Sequence, residues 1–550
     1  MRKDNKMDRR KFMKYSLGVG GGILFGTELA GILHAQGKRE PEKGEKIQKL
    51  LLTNTNRADH VELGRIIINS FKEIGVEVET EILELAAFVS KAYGRHETEL
   101  ANFNWSGGME RIDPSFYLTE FYHSKYAAKG GRNFEHYRNP EYDKVCDAAN
   151  MEMDRNKRIA LVKRCQEILA RDCPIWLIGF PDILNAYNSQ DWEGPVGMLG
   201  CGIGSDYIPW TWLLIKPKSD RKKIVTANVE ELLSFSLGAS SGNARSFLRM
   251  IYDTFLKVDP KMNVVPWAAS SWKIVSPKIV DITLRDGMKF HDGKPVTMED
   301  VRFTFDYLRE KKPPRYNEIN IHVLKTEVLN NRQFRFHLAE PYGPFLENIL
   351  SYAHILPKHI WERIQEPDTY PNEKPIGSGP FKFGYWKQGE ELYLEANKEH
   401  FAPPKIDGFY RKVISSLEGV LAALENKEID IHHDRLDSEM AKRLEKFPHL
   451  TVVSTPNNGV YEMRGNLDKK PFSDLQFRKA INHIIPKRQA MAQIFGKAGR
   501  AAGNTIIHPD LKPWYNEKVG FDEYSPQRAK EILRAAGYWW DKDGFLHYPK

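Results

Sequence analysis

The sequence has little cysteine. Only four cysteines occur among 550 residues, Cys146, Cys165, Cys173 and Cys201. None has the C-x-x-C spacing that is typical of zinc sites and dithiol redox sites. An oxidising compartment would allow up to two disulfides in three connectivities. Small buried thiols are the alternative state.

Long apolar runs and a strong excess of one charge are also missing. No segment has 18 consecutive apolar residues, so no permanent membrane-spanning helix is expected. Lys and Arg number 81 against 73 Asp and Glu, which gives a net charge of +8. Half of that excess lies in residues 1–35, so the remainder has no concentrated basic surface and nucleic-acid binding is not expected.

Aromatic residues are plentiful, and the chain is long. It contains 12 Trp, 23 Tyr and 28 Phe. Such rings form the cores of large sheets or line a cleft for organic ligands. A chain of 550 residues is too long for one hydrophobic core and predicts two or three domains.

The first 35 residues resemble a twin-arginine export signal. The pair Arg9-Arg10 precedes a weakly apolar, glycine-rich stretch, residues 15–33, and Ala35 is a candidate cleavage position. Residues 36–47 are then a polar linker. This pattern predicts export to the periplasm. The alternative is a chance arginine pair before an uncleaved anchor.

Hydrophobic periodicity predicts an α/β protein. Residues 49–56 and 76–83 are predicted strands on either side of an amphipathic helix, 58–74, and strand–helix–strand is a parallel α/β unit. Two helices follow over 139–173, and a buried strand follows over 174–180. The first part of the chain is therefore predicted to alternate strands and helices.

The charged stretch 216–223 lacks apolar residues and predicts a linker before a new domain. In that domain Thr297 is the expected N-cap of a helix, with Asp300 at the third helical position. A helix pair over 472–495 is interrupted at Pro486. A capped helix is expected over 525–538.

Several of these stretches resemble one protein family. "VPWAASSWKI", "LRDGMKFHDGKPVTMEDVRFTF", "IGSGPFKF", "LENKEIDI" and "PFSDLQFRKAINHII" match the pattern of family 5 extracellular solute-binding proteins, the dipeptide-, oligopeptide- and nickel-binding components of ABC importers. Residues 222–550 resemble the N-terminal two thirds of that family. Residues 48–215 resemble its C-terminal third, through "IGVEVE", Trp105, Asp113-Pro114 and "NPEYDK".

The two parts stand in inverted order, so the resemblance implies a circularly permuted chain. The stretch "AGYWWDKDGFLHYPK" would run on into "KGEKIQKLLLTNTN" in the usual order, and 216–223 would join the former termini. Permutation is tolerated at exposed loops when the former termini lie close together. The alternative is two partial copies that complete each other in a domain-swapped dimer.

The resemblance implies an α/β, two-lobed periplasmic binding protein of type II, cluster C-like, with mixed sheets and a cleft between the lobes. The expected divisions follow the chain: 1–35 signal peptide; 36–47 linker; 48–175 the C-terminal part of lobe II; 176–215 a return segment of lobe I; 216–223 the joining linker; 224–455 lobe I; 456–550 the N-terminal part of lobe II.

The resemblance also implies the function. The protein would capture a small organic solute or a peptide between its lobes and deliver it to the transmembrane subunits of an ABC permease. No catalytic residue, cofactor, metal or nucleic acid is expected. The short joining linker favours a monomer.

Four expected ligand-binding residues lie at the end of the strand-and-loop segment 100–108 or shortly after it. Trp105 occupies the family's cleft-lining position, with a core tryptophan as the alternative. An aspartate three residues further on holds the peptide amino group in the peptide-binding branch, but here that position is Gly108. Glu110 and Asp113 are nearby substitutes. Gly108 therefore favours a neutral, sugar-like or acidic ligand.

Four more expected ligand-binding residues lie elsewhere in the chain. Tyr461 and Arg464 follow on the strand that enters lobe II, and Arg464 would clamp a carboxylate or form a structural ion pair. Ser241 and Asn243 lie in the loop where the family's first lobe meets its ligand.

Two other functions are compatible with parts of the sequence. The stretch "GASSG" matches the nucleophile elbow of serine hydrolases, with Ser240 as the nucleophile. A second alternative is a ligand sensor without a transport role on the same fold. The segment with His432, His433 and Asp434 is a poor chelator because adjacent strand residues point to opposite faces.

Overall fold

The computed structural model describes residues 41–108, 111–204, 209–238 and 242–550, apart from the side chains of 242–246 and His433. The predicted signal peptide, 1–35, lies outside these residues. Among the described residues no helix has the length and apolar character needed to cross a membrane.

The elements are numbered in chain order. The first 222 residues contribute the strands β1 (Leu50–Thr55), β2 (Val78–Leu83), β3 (Leu100–Trp105), β4 (Trp176–Pro181), β5 (Ile183–Asn188), β6 (Trp192–Glu193) and β7 (Lys216–Pro217). The helices of the same part are α1 (Ala58–Glu73), α2 (Leu85–Val89), α3 (Ser115–Tyr122), α4 (Pro140–Met151), α5 (Arg155–Asp172) and α6 (Trp210–Leu214).

The middle of the chain contributes the strands β8 (Lys223–Asn228), β9 (Leu256–Val258), β10 (Val264–Pro266), β11 (Ala269–Ser276), β12 (Ile279–Leu284), β13 (Val323–Val328), β14 (Gln333–Leu338), β15 (Phe381–Lys387), β16 (Glu391–Ala396), β17 (Gly408–Val413), β18 (Ile431–Leu436) and β19 (Leu450–Thr455). Its helices are α7 (Gly242–Ile251), α8 (Met298–Lys311), α9 (Asn317–His322), α10 (Lys358–Trp361), α11 (Leu417–Glu425) and α12 (Ser438–Leu444).

The last part contributes the strands β20 (Val460–Gly465), β21 (Gly499–Ala501), β22 (Trp539–Trp540) and β23 (Leu546–His547). Its helices are α13 (Leu475–Ile484), α14 (Lys487–Phe495) and α15 (Pro526–Ala535). The expected break at Pro486 separates α13 from α14.

Two large sheets form the centres of two lobes. The six-stranded sheet of lobe II has the order β2-β1-β3-β20-β4-β21, so it combines strands from both parts of the chain. The seven-stranded sheet of lobe I has the order β15-β16-β17-β8-β18-β5-β19. A four-stranded sheet, β11-β12-β14-β13, shares one hydrophobic core with the seven-stranded sheet. The expected mixed α/β, two-lobed architecture is confirmed.

The chain crosses between the two large sheets at two neighbouring places. One crossing lies between β4 and β5, and the other lies between β19 and β20. Because β4 pairs with β20 and β21, the first crossing comes after Pro181, a few residues beyond the boundary expected at 175/176. The buried Asp182 accepts hydrogen bonds there from Ser454 (2.6 Å) and Arg500 (2.9 Å). It therefore ties the two crossings together.

Local capping agrees with the sequence expectation. Thr297 is the N-cap of α8, and a capping box is present: the backbone N–H of Asp300 donates to Thr297 Oγ1 (3.3 Å), and that of Thr297 donates to Asp300 Oδ2 (2.9 Å). The four cysteines are all buried free thiols.

The two remote chain segments 44–47 and 546–549 run antiparallel against each other. The N–H of Ile47 donates to the carbonyl of Leu546 (2.9 Å), and the N–H of Tyr548 donates to the carbonyl of Glu45 (2.9 Å). Leu546 also donates to the carbonyl of Gly75, beside α1 (3.0 Å). The segment before β1 thus pairs with the stretch "GFLHYPK", as the permuted order of segments implies.

Candidate functional site

A cavity of about 550 Å³ lies between the lobes. Residues between 112 and 151 form its wall from lobe II, and residues between 249 and 353 form its wall from lobe I. The walls touch beside it, where the N–H of Gly343 donates to the carbonyl of Asn150 (2.7 Å) and Arg155 pairs with Glu347 (3.0 Å). A cavity of this size suits a small organic ligand.

The wall from lobe II is built on α3. Asp113, two residues before the helix, forms a two-pronged ion pair with Arg158 of α5, at 2.6 and 2.7 Å. Burial alone would raise the pKa of Asp113, but Arg158 outweighs burial and lowers it. This buried pair fixes the start of α3, whose Phe116 and Glu120 line the cavity.

The wall from lobe I presents a hydrogen-bonded polar cluster. Glu318 of α9 accepts a hydrogen bond from the hydroxyl of Tyr342 (2.9 Å) and lies 3.3 Å from Nε2 of His322. The hydrogen bond from His322 is the main reason that the pKa of Glu318 is lowered. The ring of His322 stacks on that of Tyr342 with centroids 3.5 Å apart. These contacts hold an anionic carboxylate at the wall.

Two arginines of lobe I supply positive charge. Nε of Arg315 donates to the hydroxyl of Tyr352 (3.0 Å), and Cζ of Arg249 lies 4.8 Å from the ring of Tyr352. All three residues line the cavity. The lining therefore carries both signs of charge together with aromatic rings, which suits a ligand with charged and apolar parts.

Trp105 lies at the end of β3, beside this cavity. Its ring packs against Tyr93 (5.6 Å between centroids) and Phe121 (4.9 Å), and it lies 6.4 Å from the cavity-lining ring of Phe116. It is only partly buried. Trp105 thus joins an aromatic cluster that reaches the cavity wall through Phe116, and its ligand role stays a prediction.

The loop after Trp105 is held by the segment before β20. The N–H of Gly108 donates to Oδ1 of Asn458 (3.0 Å), and Nδ2 of Asn458 donates to the carbonyl of Arg111 (3.0 Å). A Cβ on Gly107 would lie 1.8 Å from Oδ1 of Asn457, so glycine is required there for this close approach. At Gly108, by contrast, an added Cβ would meet no described atom within 4 Å apart from its chain neighbours.

The other predicted site residues are distributed differently. Asp113 lines the cavity but is engaged with Arg158. Tyr461 is buried. Its hydroxyl donates a hydrogen bond to Asp59 and accepts one from Arg57 (3.1 Å), and both partners lie at the start of α1. Glu110 and Ser241, like the side chain of Asn243, lie outside the described residues.

Arg464 is 1% exposed and binds two buried carboxylates, at 3.0 Å from Glu135 and 2.6 Å from Glu462. It also donates to the carbonyl of Arg132 (2.7 Å). This arrangement favours the structural ion pair over the carboxylate clamp, the two interpretations that the sequence left open.

The raised pKa of the buried Glu135 predicts that the free energy of unfolding depends on pH. Burial raises the pKa of Glu135 from 4.5 to about 7; Arg464 opposes this rise and the neighbouring Glu462 adds to it. A raised folded-state pKa stabilises the protein below pH 4.5, and that contribution is lost as the pH rises to about 7. At about 1.4 kcal/mol per pKa unit the loss is up to about 3 kcal/mol. Glu135→Gln should remove it.

The check is urea unfolding at several pH values between 4 and 8. The free energy of unfolding of the wild type should fall relative to that of Glu135→Gln as the pH rises. The exposed Glu97→Gln is the control and should follow the wild type. Parallel curves for Glu135→Gln and the wild type would contradict the expectation.

The "GASSG" motif, residues 238–242, lies partly outside the described residues, and Ser240 is among those not described. A nucleophile elbow follows its strand directly. Here β8 ends at Asn228, and residues 229–238 contain neither strand nor helix. In the described part of the chain, no group of three or more His, Cys, Asp or Glu side chains is arranged to hold a metal ion.

The sequence patterns did not predict the cavity wall that residues 315–353 form. Arg315, Glu318 and Tyr352 carry no motif, and they meet the α3 wall across a separation of about 200 residues in the chain.

Two α/β lobes, joined by two crossings and enclosing a cavity, define a two-lobed ligand-binding protein. The chain belongs to the bacterial extracellular solute-binding proteins of family 5, because the model of the middle part of that family matches residues 263–549. The expected family and fold class are confirmed.

Individual relatives match part of the chain. It is 30% identical over 340 residues to the oligopeptide-binding protein AppA of Bacillus subtilis strain 168, covering 60% of this chain and 61% of AppA. It is 25% identical over 299 residues to the dipeptide-binding protein of Escherichia coli K12, covering 50% and 55%. The chain thus spans under two thirds of the length of these relatives.

Solved structures match to a similar extent. The crystal structure of NikZ from Campylobacter jejuni in complex with Ni(L-His) is 24% identical, with a TM-score of 0.45, and the match covers 60% of this chain and 66% of NikZ.

Proposed function

We propose that the protein is the extracytoplasmic solute-binding component of an ABC importer. It captures a small organic solute or a peptide between its lobes and delivers it to a membrane permease. The observation that carries the proposal is the cavity of about 550 Å³ lined from both lobes by aromatic rings and by charges of both signs. Membership of family 5 supports the same function, and so does the similarity to an oligopeptide-binding and a dipeptide-binding protein.

Export fits this role. The twin-arginine pattern at Arg9-Arg10 supports periplasmic delivery with cleavage after Ala35. The inter-lobe cavity and the family both indicate solute binding, which needs no catalytic residue. The alternative, a serine hydrolase with Ser240 as nucleophile, is therefore less favoured. A sensor without a transport role would share the same cavity.

The permuted order of segments is part of the proposal. One sheet combines β1–β3 with β20, and segment 44–47 pairs with 546–549. Both observations support a single chain that completes its own lobe II. We therefore favour a monomer over two partial copies that complete each other.

The first test is native mass spectrometry of residues 36–550 purified without denaturation. The expected result is a monomer that carries a small co-purified mass, which is then identified after denaturation. A dimer without bound mass would contradict the proposal. Labelling of Ser240 by a fluorophosphonate probe would support the hydrolase instead.

Tyr126 provides a matched binding test. Its ring lines the cavity and is partly exposed, so Tyr126→Ala removes a contact surface without opening a buried core. With the identified solute in pure form, calorimetry should show an affinity about tenfold weaker, since one aromatic contact of this kind is worth about 1.4 kcal/mol.

The control is Tyr385→Ala, which changes an exposed tyrosine of β15 that does not line the cavity. Its affinity should equal that of the wild type. Equal affinities of all three proteins would show that the solute binds elsewhere.

A further inference from the structure

Two guanidinium groups face the same pair of aromatic rings beside the cavity. Cζ of Arg111 lies 5.6 Å from the ring centroid of Trp105 and 5.2 Å from that of Phe116. Cζ of Arg132 lies 5.3 and 5.4 Å from the same two centroids. Because Phe116 lines the cavity, these charges are concentrated at its edge.

The backbone of this region holds Arg111 in place. Its N–H donates to the carbonyl of Gly108 (3.1 Å), and its carbonyl accepts from Asn458 (3.0 Å). Its guanidinium donates to the hydroxyl of Ser106 (2.9 Å). A site whose groups are already fixed loses little conformational entropy when a ligand binds.

The two arginines are incompletely neutralised by the described residues. Arg132 pairs with Glu120 of α3, yet its side chain remains 41% exposed. No described carboxylate lies within ion-pair distance of Arg111. Burial, and next the charge of Arg111, lower the pKa of Arg132, which agrees with two like charges close together.

The two aromatic rings and the two guanidinium groups together indicate which chemical group of a ligand would bind here. Cation–π contacts with Trp105 and Phe116 hold the two guanidinium groups but do not cancel their mutual repulsion. A carboxylate would accept paired hydrogen bonds from guanidinium groups and relieve the repulsion.

We propose that Arg111 and Arg132 form a subsite for a carboxylate of the captured solute, whose apolar part lies on Trp105 and Phe116. This inference rests on the proposed function and narrows it to solutes that carry an acidic group. The subsite favours organic acids and peptides with a free carboxylate over neutral sugars.

The experiment offers the intact protein, residues 36–550, three defined mixtures after removal of co-purified solute. These are tripeptides as free acids with the same tripeptides as C-terminal amides, small mono- and dicarboxylic acids, and neutral oligosaccharides. Native mass spectrometry records which compounds are retained, and calorimetry measures their affinities. The comparison of acid with amide changes the ligand alone, so it stands even where a protein variant folds poorly.

The wild type is expected to retain free acids and to bind the matched amides or neutral analogues at least tenfold more weakly. Arg111→Met/Arg132→Met should weaken binding of the acids at least tenfold while leaving binding of the amides unchanged. Arg111→Lys/Arg132→Lys should restore part of the affinity, because the charge remains. Arg164→Met, on the exposed face of α5, is the control and should bind as the wild type does.

Other outcomes separate the two proposals. Equal binding of acids and amides, or retention of oligosaccharides only, overturns the carboxylate subsite and leaves solute binding in place. Unchanged binding of acids by Arg111→Met/Arg132→Met with a wild-type circular dichroism spectrum also overturns the subsite. Retention of no compound from any mixture contradicts both the subsite and the proposed function.

Discussion

Replacing Arg464 with methionine is expected to lower the free energy of unfolding by about 3–5 kcal/mol. Arg464 is 1% exposed, and its partners Glu135 and Glu462 are fully buried. Without the guanidinium, the two carboxylates remain in the core with no positive partner at 2.6–3.0 Å. Each then ionises only at a large desolvation cost, which is why removing one member of a buried ion pair costs more than the pair contributes.

Urea unfolding at pH 7, followed by circular dichroism, measures the effect. Arg138→Met is the matched control, since Arg138 is 51% exposed in a surface pair with Asp468 and should cost at most about 1 kcal/mol. Glu135→Gln/Glu462→Gln/Arg464→Met should recover most of the loss, because no buried charge is left. A loss under 1 kcal/mol for Arg464→Met would mean that these residues are solvated rather than buried.

Local elements of the fold could be predicted because their signals are local. The alternating and 3.6-residue patterns predict β1, α1 and β2 to within a residue or two of the observed bounds. Pro486 cannot continue a helix, and it does divide α13 from α14. Thr297 and Asp300 are three residues apart, so their capping box could be recognised without any tertiary contact.

Site chemistry was harder to predict because the contacts that decide it are remote. Arg464 has a partner in Glu135, 329 residues away, so the sequence left open whether the guanidinium faces ligand or core. Asp113 is close to Trp105 in the sequence, but its carboxylate is already paired with Arg158 of α5. Arg111 and Arg132 both contact the ring of Trp105, and the loop that carries Arg111 is held by the remote Asn458. None of these pairings has a local pattern.

Arg158→Met is the other substitution with a large expected effect, again about 3–5 kcal/mol of unfolding free energy. The guanidinium holds Asp113 at 2.6 and 2.7 Å and donates to the carbonyl of Ala149 (3.0 Å), with both charged side chains at most 3% exposed. Its removal leaves Asp113 buried beside Glu347, whose pKa is already raised by burial and by Asp113. The start of α3, and with it the cavity wall at Phe116, loses its anchor.

The pH dependence identifies the cause of this loss. In the wild type, burial would raise the pKa of Asp113 but Arg158 lowers it, so this contribution to stability is present above about pH 3.8 and is lost in acid. In Arg158→Met the pKa of Asp113 should instead be raised, so the deficit relative to the wild type grows between pH 4 and 8. Urea unfolding across that range measures it.

A double-mutant cycle with Asp113→Asn then isolates the ion pair from the packing of the arginine stem. Asp113→Asn/Arg158→Met leaves no buried charge at this position, so it should be at least about 1 kcal/mol more stable than Arg158→Met at pH 7. Strict additivity of the two single changes would contradict a coupled pair. Weaker solute binding by the double variant despite recovered stability would show that the pair also positions the α3 wall, because Phe116 and Glu120 depend on where that helix begins.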